Sequence, residues 1–138
     1  MRLRLETDYG IRCILYLAQQ DEYVQAGKIA LEMAVPENVI PRVLSRLKRH
    51  GLVNARSGVQ GGHKLGRAAD QITMFDIIQC MEDHFVVGRE KCEQADRSQE
   101  KILQGVQQYF VSLQELVNDS MRSVTVADLV QQKTIADD

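Results

Sequence analysis

The sequence predicts a mainly α-helical fold with a small β-hairpin, arranged as a winged helix-turn-helix domain plus a long dimerisation helix. Apolar residues recur with helical spacing along most of the chain. The spacing changes to that of strands only between Leu52 and Gly66, around a glycine-rich turn. A further helical stretch, Ser98 to Arg122, is long enough to pair with a second helix.

The first two helices are predicted from their apolar stripes and end signals. A helix from Leu5 to Gln19 carries an apolar stripe and has Thr7 or Asp8 as its cap. A shorter helix from Lys28 to Met33 turns its apolar residues inward.

The third helix and the hairpin follow directly. Pro36-Glu37-Asn38 opens the helix, since a proline in a first turn sacrifices no helical hydrogen bond, and Gly51 ends it. Leu52 to Arg56 is one strand, Ser57 to Gly62 is the turn, and His63 to Gly66 is the returning strand.

The carboxyl-terminal half is again helical. Thr73 caps a helix from Met74 to Asp83, and Phe85 to Arg97 is irregular. The long helix comes next, and a short last helix covers Val126 to Gln132. We divide the chain into a winged helix-turn-helix region, a sensor-type loop and a dimerisation and C-terminal part, all within one compact domain: residues 1–84, 85–97 and 98–138.

Charge is distributed unevenly along the 138 residues. The net charge is −2, yet residues 36–67 carry seven basic side chains and one acidic one, a net charge of +6, which leaves −8 on the remainder. A cationic segment on an anionic body is suited to holding phosphates. A basic helix can also be a solvated surface helix with no binding role. The basic helix and the glycine hairpin in succession nevertheless favour nucleic-acid binding.

Composition also excludes several classes. No apolar run is long enough to cross a bilayer, and the first residues do not read as a secretory signal, so we expect a cytoplasmic protein without a membrane partner. Three scattered cysteines without a C-x-x-C pair predict neither a disulfide framework nor a closed metal site. Cys13 and Cys80 are expected to be packing residues. Three distant histidines (His50, His63 and His84) without a nearby nucleophile argue against an enzyme.

The third helix is the expected reading element. Its amino end should enter the major groove, where Glu37, Asn38 and Arg42 can meet base edges. Arg46, Lys48 and Arg49 follow and are better placed for phosphates. The long helix has an apolar seam for a second copy, and the same seam fits an alternative function, docking of a partner enzyme. The seam residues are Val106, Phe110, Leu113, Val117 and Met121.

Three stretches carry a family resemblance. These are the opening Thr7-Asp8-Tyr9-Gly10-Ile11-Arg12, the run Leu44-Ser45-Arg46-Leu47-Lys48-Arg49-His50-Gly51-Leu52-Val53, and the hairpin Gly58-Val59-Gln60-Gly61-Gly62-His63-Lys64-Leu65-Gly66-Arg67. They resemble the IscR/NsrR type of bacterial regulator, the Rrf-two family. The resemblance extends over nearly the whole chain and implies a homodimer, a double-stranded operator with two half-sites, a recognition helix starting at Pro36 and a wing tipped by Gly61-Gly62.

The resemblance also assigns contacts, since family positions that touch bases or phosphates correspond here to Pro36, Asn38, Pro41, Arg42, Arg56 and Ser57. Pro36 and Pro41 replace polar residues of well-known members, so the operator sequence cannot be transferred. With the residues argued above, the predicted DNA-binding set is Lys28, Pro36, Glu37, Asn38, Pro41, Arg42, Arg46, Arg49, Arg56, Ser57, Gln60, Gly61, Gly62 and His63.

Many members of that family bind an iron–sulfur cluster, but this chain keeps little of the ligand set. The three cysteine positions correspond to Cys92, Ser98 and Gln104, and the carboxylate of one branch corresponds to Asp8. Because cluster iron takes thiolates, usually four, we predict no cofactor and no metal. Cys92 and Asp8 remain the candidate sensor residues. Lys91 and Arg89 would favour a reactive thiolate at Cys92, whereas Glu90 and Glu93 oppose it. The expected function is a homodimeric DNA-binding regulator, of repressor type.

Overall fold

The computed structural model describes residues 2–83, 85–87 and 99–131. Within these ranges six α-helices and one two-stranded antiparallel hairpin follow one another. In chain order they are α1 (Leu5–Leu17), α2 (Ala26–Met33), α3 (Ile40–Arg49), β1 (Val53–Arg56), β2 (Gly62–Leu65), α4 (Met74–Met81), α5 (Glu100–Arg122) and α6 (Val126–Val130). The mainly helical fold class with one small hairpin is confirmed.

One core joins α1 to α4 with α6. Its fully buried members include Ile14, Ile29, Leu47 and Ile77, one from each of the first four helices, and Val126 from α6. Cys13 and Cys80 lie in the same core, as predicted for packing residues. Burial raises the pKa of the Cys13 thiol to about 12 and that of Cys80 to about 11, so both stay protonated and unreactive.

The start of α1 differs from the prediction. Neither Thr7 nor Asp8 caps the helix, because the N-cap is Arg4. Thr7 is fully buried in the first turn and its hydroxyl donates to a carboxylate oxygen of Glu82 at 3.0 Å. The backbone N–H of Arg4 donates to the same oxygen at 2.6 Å, so a distant carboxylate satisfies the helix start.

Two capping boxes fix the later helices. Thr73 accepts a hydrogen bond from the backbone of Asp76, whose carboxylate accepts one in return, as the predicted Thr73 cap requires. Thr125 and Asp128 repeat the arrangement at α6. The two caps also meet, since Thr73 and Thr125 form an isolated antiparallel bridge. Through that bridge α6, which follows α5 in sequence, packs on the amino-terminal half.

In contrast, α5 lies largely outside the core. None of its 23 residues is buried, and its main neighbour is α4. Gln114 fastens the helix to the preceding segment, because its amide accepts from the backbone N–H of Val87 at 2.6 Å and donates to the carbonyl of Phe85 at 3.0 Å. No described helix is long and apolar enough to span a membrane.

Candidate nucleic-acid interface

The two sides of α3 differ sharply. Ile40, Val43, Leu44 and Leu47 are at most 3% exposed and fill the core. The opposite side is exposed to solvent and consists of Pro41, Arg42, Ser45, Lys48 and Arg49. This side is polar and basic, as a helix that meets phosphates and base edges requires.

The prediction that α3 begins at Pro36 is wrong, since the helix begins at Ile40. Pro41 has no N–H, so the carbonyl of Glu37 cannot receive a helical bond from it. A turn whose bonds run from Val39 and Ile40 to the carbonyl of Pro36 precedes the helix instead. Pro36, Glu37 and Asn38 are therefore exposed in this turn rather than on the helix. The end of α3 is as predicted, with Gly51 at a left-handed φ of 74°.

Arg42 lies in the first turn of α3 and forms an ion pair. Its Nε donates to Oε1 of Glu6 at 2.9 Å and its Nη2 donates to the same oxygen at 2.5 Å. The Arg42 side chain is nevertheless 62% exposed, so most of the guanidinium faces solvent. The hydrogen bond from Arg42, followed by the charges of Arg42, Arg4 and Arg46, lowers the pKa of Glu6 despite some opposing desolvation.

Arg46 is placed differently from its predicted phosphate-binding position. Its Nε donates to the carbonyl of Cys80 at 2.7 Å, and its Nη2 is paired with Asp83. The side chain is only 19% exposed. Arg46 thus connects α3 to the carboxyl end of α4 and is engaged inside the fold.

The hairpin carries a cationic, exposed outer part. Arg56 and Lys64 lie over the ring of Tyr23, with their charged groups 5.4 and 5.9 Å from its centre. Ser57 and Gln60 are exposed, and Val59 between them is 98% exposed. Cation–π contact holds the two basic groups in place without neutralising them.

The predicted glycine tip is wrong, because Gly61 and Gly62 are buried where the turn enters β2, and Gly62 already pairs with Arg56 of β1. A Cβ on Gly61 would lie 2.1 Å from the carbonyl oxygen of Arg56, and one on Gly62 would lie 2.4 Å from that of Val24. The glycines thus permit two backbones to pack closely at the start of β2, while the exposed tip lies at residues 58–60. Gln25 also holds this segment, as its side chain donates to the Gly61 carbonyl at 2.8 Å.

His63 and Lys28 complete the predicted set. His63 pairs with Ala55 in the hairpin and exchanges two backbone hydrogen bonds with Val24. Its side chain is half-buried, and burial, followed by the charge of Lys48, lowers the pKa of its imidazole. Lys28 is exposed on α2. The structure brings the predicted residues onto one α2–α3–hairpin region but buries Gly61 and Gly62 and turns Arg46 inward.

The candidate sensor residues are only half described. Cys92 and most of the predicted loop lie outside the described residues. Asp8 is exposed and forms an ion pair with Arg12 at 2.7 Å. Of the other ligand positions that the resemblance assigns, Gln104 is an exposed amide on α5. One thiol and a carboxylate already paired with arginine do not fit a cluster that takes thiolates. The absence of a cofactor stays a prediction.

The predicted seam of α5 is partly covered by the chain itself. Val106 is 44% exposed, whereas Phe110, Leu113, Val117 and Met121 are half-buried. The large apolar residues most exposed beside them are Ile102, Tyr109 and Leu116, at 65%, 62% and 68%. We call Ile102, Val106, Tyr109, Leu113 and Leu116 the α5 stripe, since their spacing puts them on one side of the helix.

Sequence reasoning missed Glu6 and Tyr23. Neither belongs to an apolar period or a basic cluster, and each contacts a basic side chain more than 30 positions away. The one available signal for Glu6 is a carboxylate in a first helical turn, which is common for electrostatic reasons alone.

A helix with a basic outward side, followed by a hairpin with stacked cations, is the arrangement of a winged-helix domain. The family model Rrf2, described as an iron-dependent transcriptional regulator and written Rrf-two above, matches residues 3–132. The chain therefore belongs to the Rrf2 family of transcriptional regulators.

Two relatives are similar to part of the chain. The chain is 36% identical to protein aau3 of Rhizobium meliloti over 88 residues and 35% identical over 85 residues to Synechocystis slr0846, whose name describes an HTH-type transcriptional regulator. The matches cover 63% and 60% of this chain, and 57% and 58% of those two proteins.

Three solved structures share the fold. CymR of B. subtilis, titled its global cysteine regulator, has a TM-score of 0.75 at 23% identity over 97% of this chain and 99% of that one. IscR of T. potens has a TM-score of 0.72 at 23% identity, covering 100% and 92%. A chain from Listeria innocua has a TM-score of 0.77 at 24% identity, covering 99% and 91%. At these identities the likeness shows the fold alone.

Proposed function

We propose that this regulator is a homodimeric repressor that binds an operator of two half-sites through α3 and the hairpin. The observation that carries the proposal is the outward side of α3, where Arg42, Lys48 and Arg49 are exposed next to a hairpin that holds Arg56 and Lys64 on Tyr23. An α-helix fits the major groove, and a two-stranded ribbon can follow the backbone beside it. Since its partner is genomic DNA, the proposal also places the protein in the cytoplasm.

Dimerisation rests on the α5 stripe. Several large apolar side chains in one row on an exposed helix are costly in water and are typical of an interaction surface. A second copy of the same helix is the simplest partner, because a two-fold axis lets each stripe cover the other. The dimer then has two DNA-binding surfaces, each formed by α3 and the hairpin of one protomer, for the two half-sites. It represses transcription by occupying the promoter.

A signal at the loop of residues 85–97 has two physical routes to the rest of the molecule. Just before the loop, Glu82 accepts a hydrogen bond from Arg4, the N-cap of α1, and Asp83 is paired with Arg46 of α3. At its start, Gln114 holds the backbone of Phe85 and Val87 against α5. We therefore place signal reception near Cys92, or at a ligand or partner site on this loop, without a complete iron–sulfur cluster.

A binding titration tests this function. We expect sub-micromolar specific binding to a duplex of the upstream region of its own gene, and steep loss of affinity when salt is raised, because several phosphates are neutralised. Sedimentation of the free protein should show a dimer. No preference over a scrambled duplex would contradict the proposal, and a promoter reporter that rises when the protein is expressed would contradict repression. Iron and sulfide analysis after anaerobic purification tests the absence of a cluster.

The exposed α5 stripe also favours a second candidate, a module that docks a partner enzyme through this helix. The two differ in the free protein. A homodimer covers the stripe with a second copy, whereas a docking module stays monomeric until the partner arrives. Light scattering of the purified chain distinguishes them.

A further inference from the structure

We propose that Glu6 is a specificity-determining residue that holds Arg42 in the orientation for reading guanine and discourages its binding to phosphate. The inference rests on the proposed DNA-binding function and deepens it. It starts from the one ion pair between the first turn of α1 and the first turn of α3 among the described residues.

The ion pair leaves the outer N–H groups of the Arg42 guanidinium, on Nη1 and Nη2, available to bind a base. A guanidinium has five N–H donors: one on Nε and two on each Nη. Glu6 Oε1 accepts from Nε at 2.9 Å and from Nη2 at 2.5 Å, so it occupies one edge of the fork. Both N–H groups of Nη1 and the second one of Nη2 stay available. Guanine offers O6 and N7 side by side, and adjacent donors on the two Nη atoms match them.

The carboxylate is held charged and in place. Glu6 lies in the first turn of α1, where the helix dipole favours an anion. Arg42 lowers its pKa first of all, and Arg4 and Arg46 add to the effect. Its side chain is 29% exposed while that of Arg42 is 62% exposed, so the pair sits at the surface with the arginine outermost.

The physical consequence is a change in what Arg42 prefers. A free arginine on a DNA-facing helix binds any phosphate through its charge. An adjacent carboxylate cancels most of that charge and repels the phosphate, whereas a directional pair of hydrogen bonds to guanine keeps most of its strength. Ordering the side chain before DNA arrives also reduces the rotamer entropy lost on binding. Glu6 thus raises discrimination at the expense of non-specific affinity.

The test uses the full-length chain and a library of random duplexes. Wild type, Glu6→Gln and Arg42→Lys are each used to select bound duplexes, and affinities for the selected and a scrambled duplex are measured across a salt series. We expect wild type to select a G·C pair at the position that Arg42 reads. Both variants should lose that preference, with the specificity ratio falling about tenfold, since lysine lacks the fork.

The salt series distinguishes two roles of Glu6: orienting the Arg42 side chain, or only stabilising the fold. Glu6→Gln releases Arg42 for a phosphate, so the log–log salt slope should steepen by about 0.9, and adding Arg42→Ala should remove that gain. Glu32→Gln is the control, because it removes the same charge from an exposed position on α2.

Three results would overturn the inference while leaving the proposed function standing. One is an unchanged base preference in Glu6→Gln with only a lower Tm, as a purely stabilising ion pair gives. Another is an equal gain in affinity for selected and scrambled duplexes, and the last is the same behaviour in Glu32→Gln. If wild type itself selects no sequence, the proposed function fails first.

Discussion

Two helices of this molecule keep one side uncovered, and the two sides differ in kind. The exposed side of α3 is polar and basic, with Arg42, Lys48 and Arg49. The exposed α5 stripe is apolar, with Ile102, Tyr109 and Leu116 each more than 60% exposed. On α3 the inward side is sealed in the core, whereas α5 has no buried residue at all.

The difference indicates which kind of partner surface each helix can bind. A charged surface is stable in water. Its binding to DNA is driven by the release of counterions from the phosphates. An apolar row is unfavourable in water and gains by covering any similar surface. The packing of α3 is therefore complete in one chain, while in the proposed dimer a second chain covers the α5 stripe. Each of the following changes tests one side of this contrast.

The largest effect is expected on the inward side of α3. Leu47→Ala removes a fully buried side chain, and the cavity should lower the free energy of unfolding by about 2–5 kcal/mol. Urea unfolding at several protein concentrations measures it. The matched Leu116→Ala should cost far less when measured on dilute, monomeric protein, because that side chain is 68% exposed. Equal losses from the two substitutions would refute the contrast.

The next effect concerns self-association. Leu116→Asp puts a carboxylate in the proposed contact between two stripes, where burying it without a partner should raise the dimer dissociation constant on the order of 100-fold. Sedimentation equilibrium gives the constant. Val111→Asp is the control, since Val111 is 55% exposed on the opposite side of α5. If Val111→Asp separates the dimer and Leu116→Asp does not, the stripe is misplaced.

A smaller effect should come from the basic side of α3. Lys48→Ala removes one exposed cation, so affinity should fall for every duplex alike and the log–log salt slope should become shallower by about 0.9. Fluorescence anisotropy over a salt series records both. Lys101→Ala deletes the same charge from α5 and should leave the slope as it is. A loss limited to one sequence would mean that Lys48 reads a base.

The smallest effect is a pH dependence from His63. Burial and Lys48 lower the pKa of its folded imidazole, so the folded state resists protonation. Stability from this residue is fully present above the unfolded pKa of roughly 6.5 and is lost as the pH falls from there through the lower folded value. Thermal unfolding between about pH 7.5 and about pH 5, which spans that reference pKa, should show the decline. His63→Gln should flatten the decline, and an unchanged profile would exclude His63 as its source.

Local signals predicted much of this fold. The Thr73 cap depends on Asp76, three residues away, and Gly51 ends α3 because glycine adopts a positive φ without strain. Both features can therefore be predicted from a few consecutive residues. The helical spacing of the apolar residues likewise agrees with the observed inward side of α3, which contains Val43, Leu44 and Leu47. Such features need no knowledge of what lies across the core.

The errors concern features that depend on distant neighbours. The place of Arg46 is set by a carbonyl at Cys80, and burial of Gly62 is set by Val24, neither of which is near in sequence. On α5 the helical period marks a broad apolar face. Which part of it stays open depends on how α4 packs there, so Ile102 and Leu116, beside the predicted seam, are its most exposed large apolar residues. The pair of Glu6 with Arg42 has the same origin.

A hydroxyl-radical footprint on a selected operator is the most direct test of whether a homodimer presents two copies of α3 and the hairpin to DNA. We expect two protected segments related by two-fold symmetry, with centres one helical turn apart, roughly 10–10.5 base pairs, or a multiple of it. Leu116→Asp should weaken both segments together. A single protected segment that persists in Leu116→Asp at the same protein concentration would contradict the account.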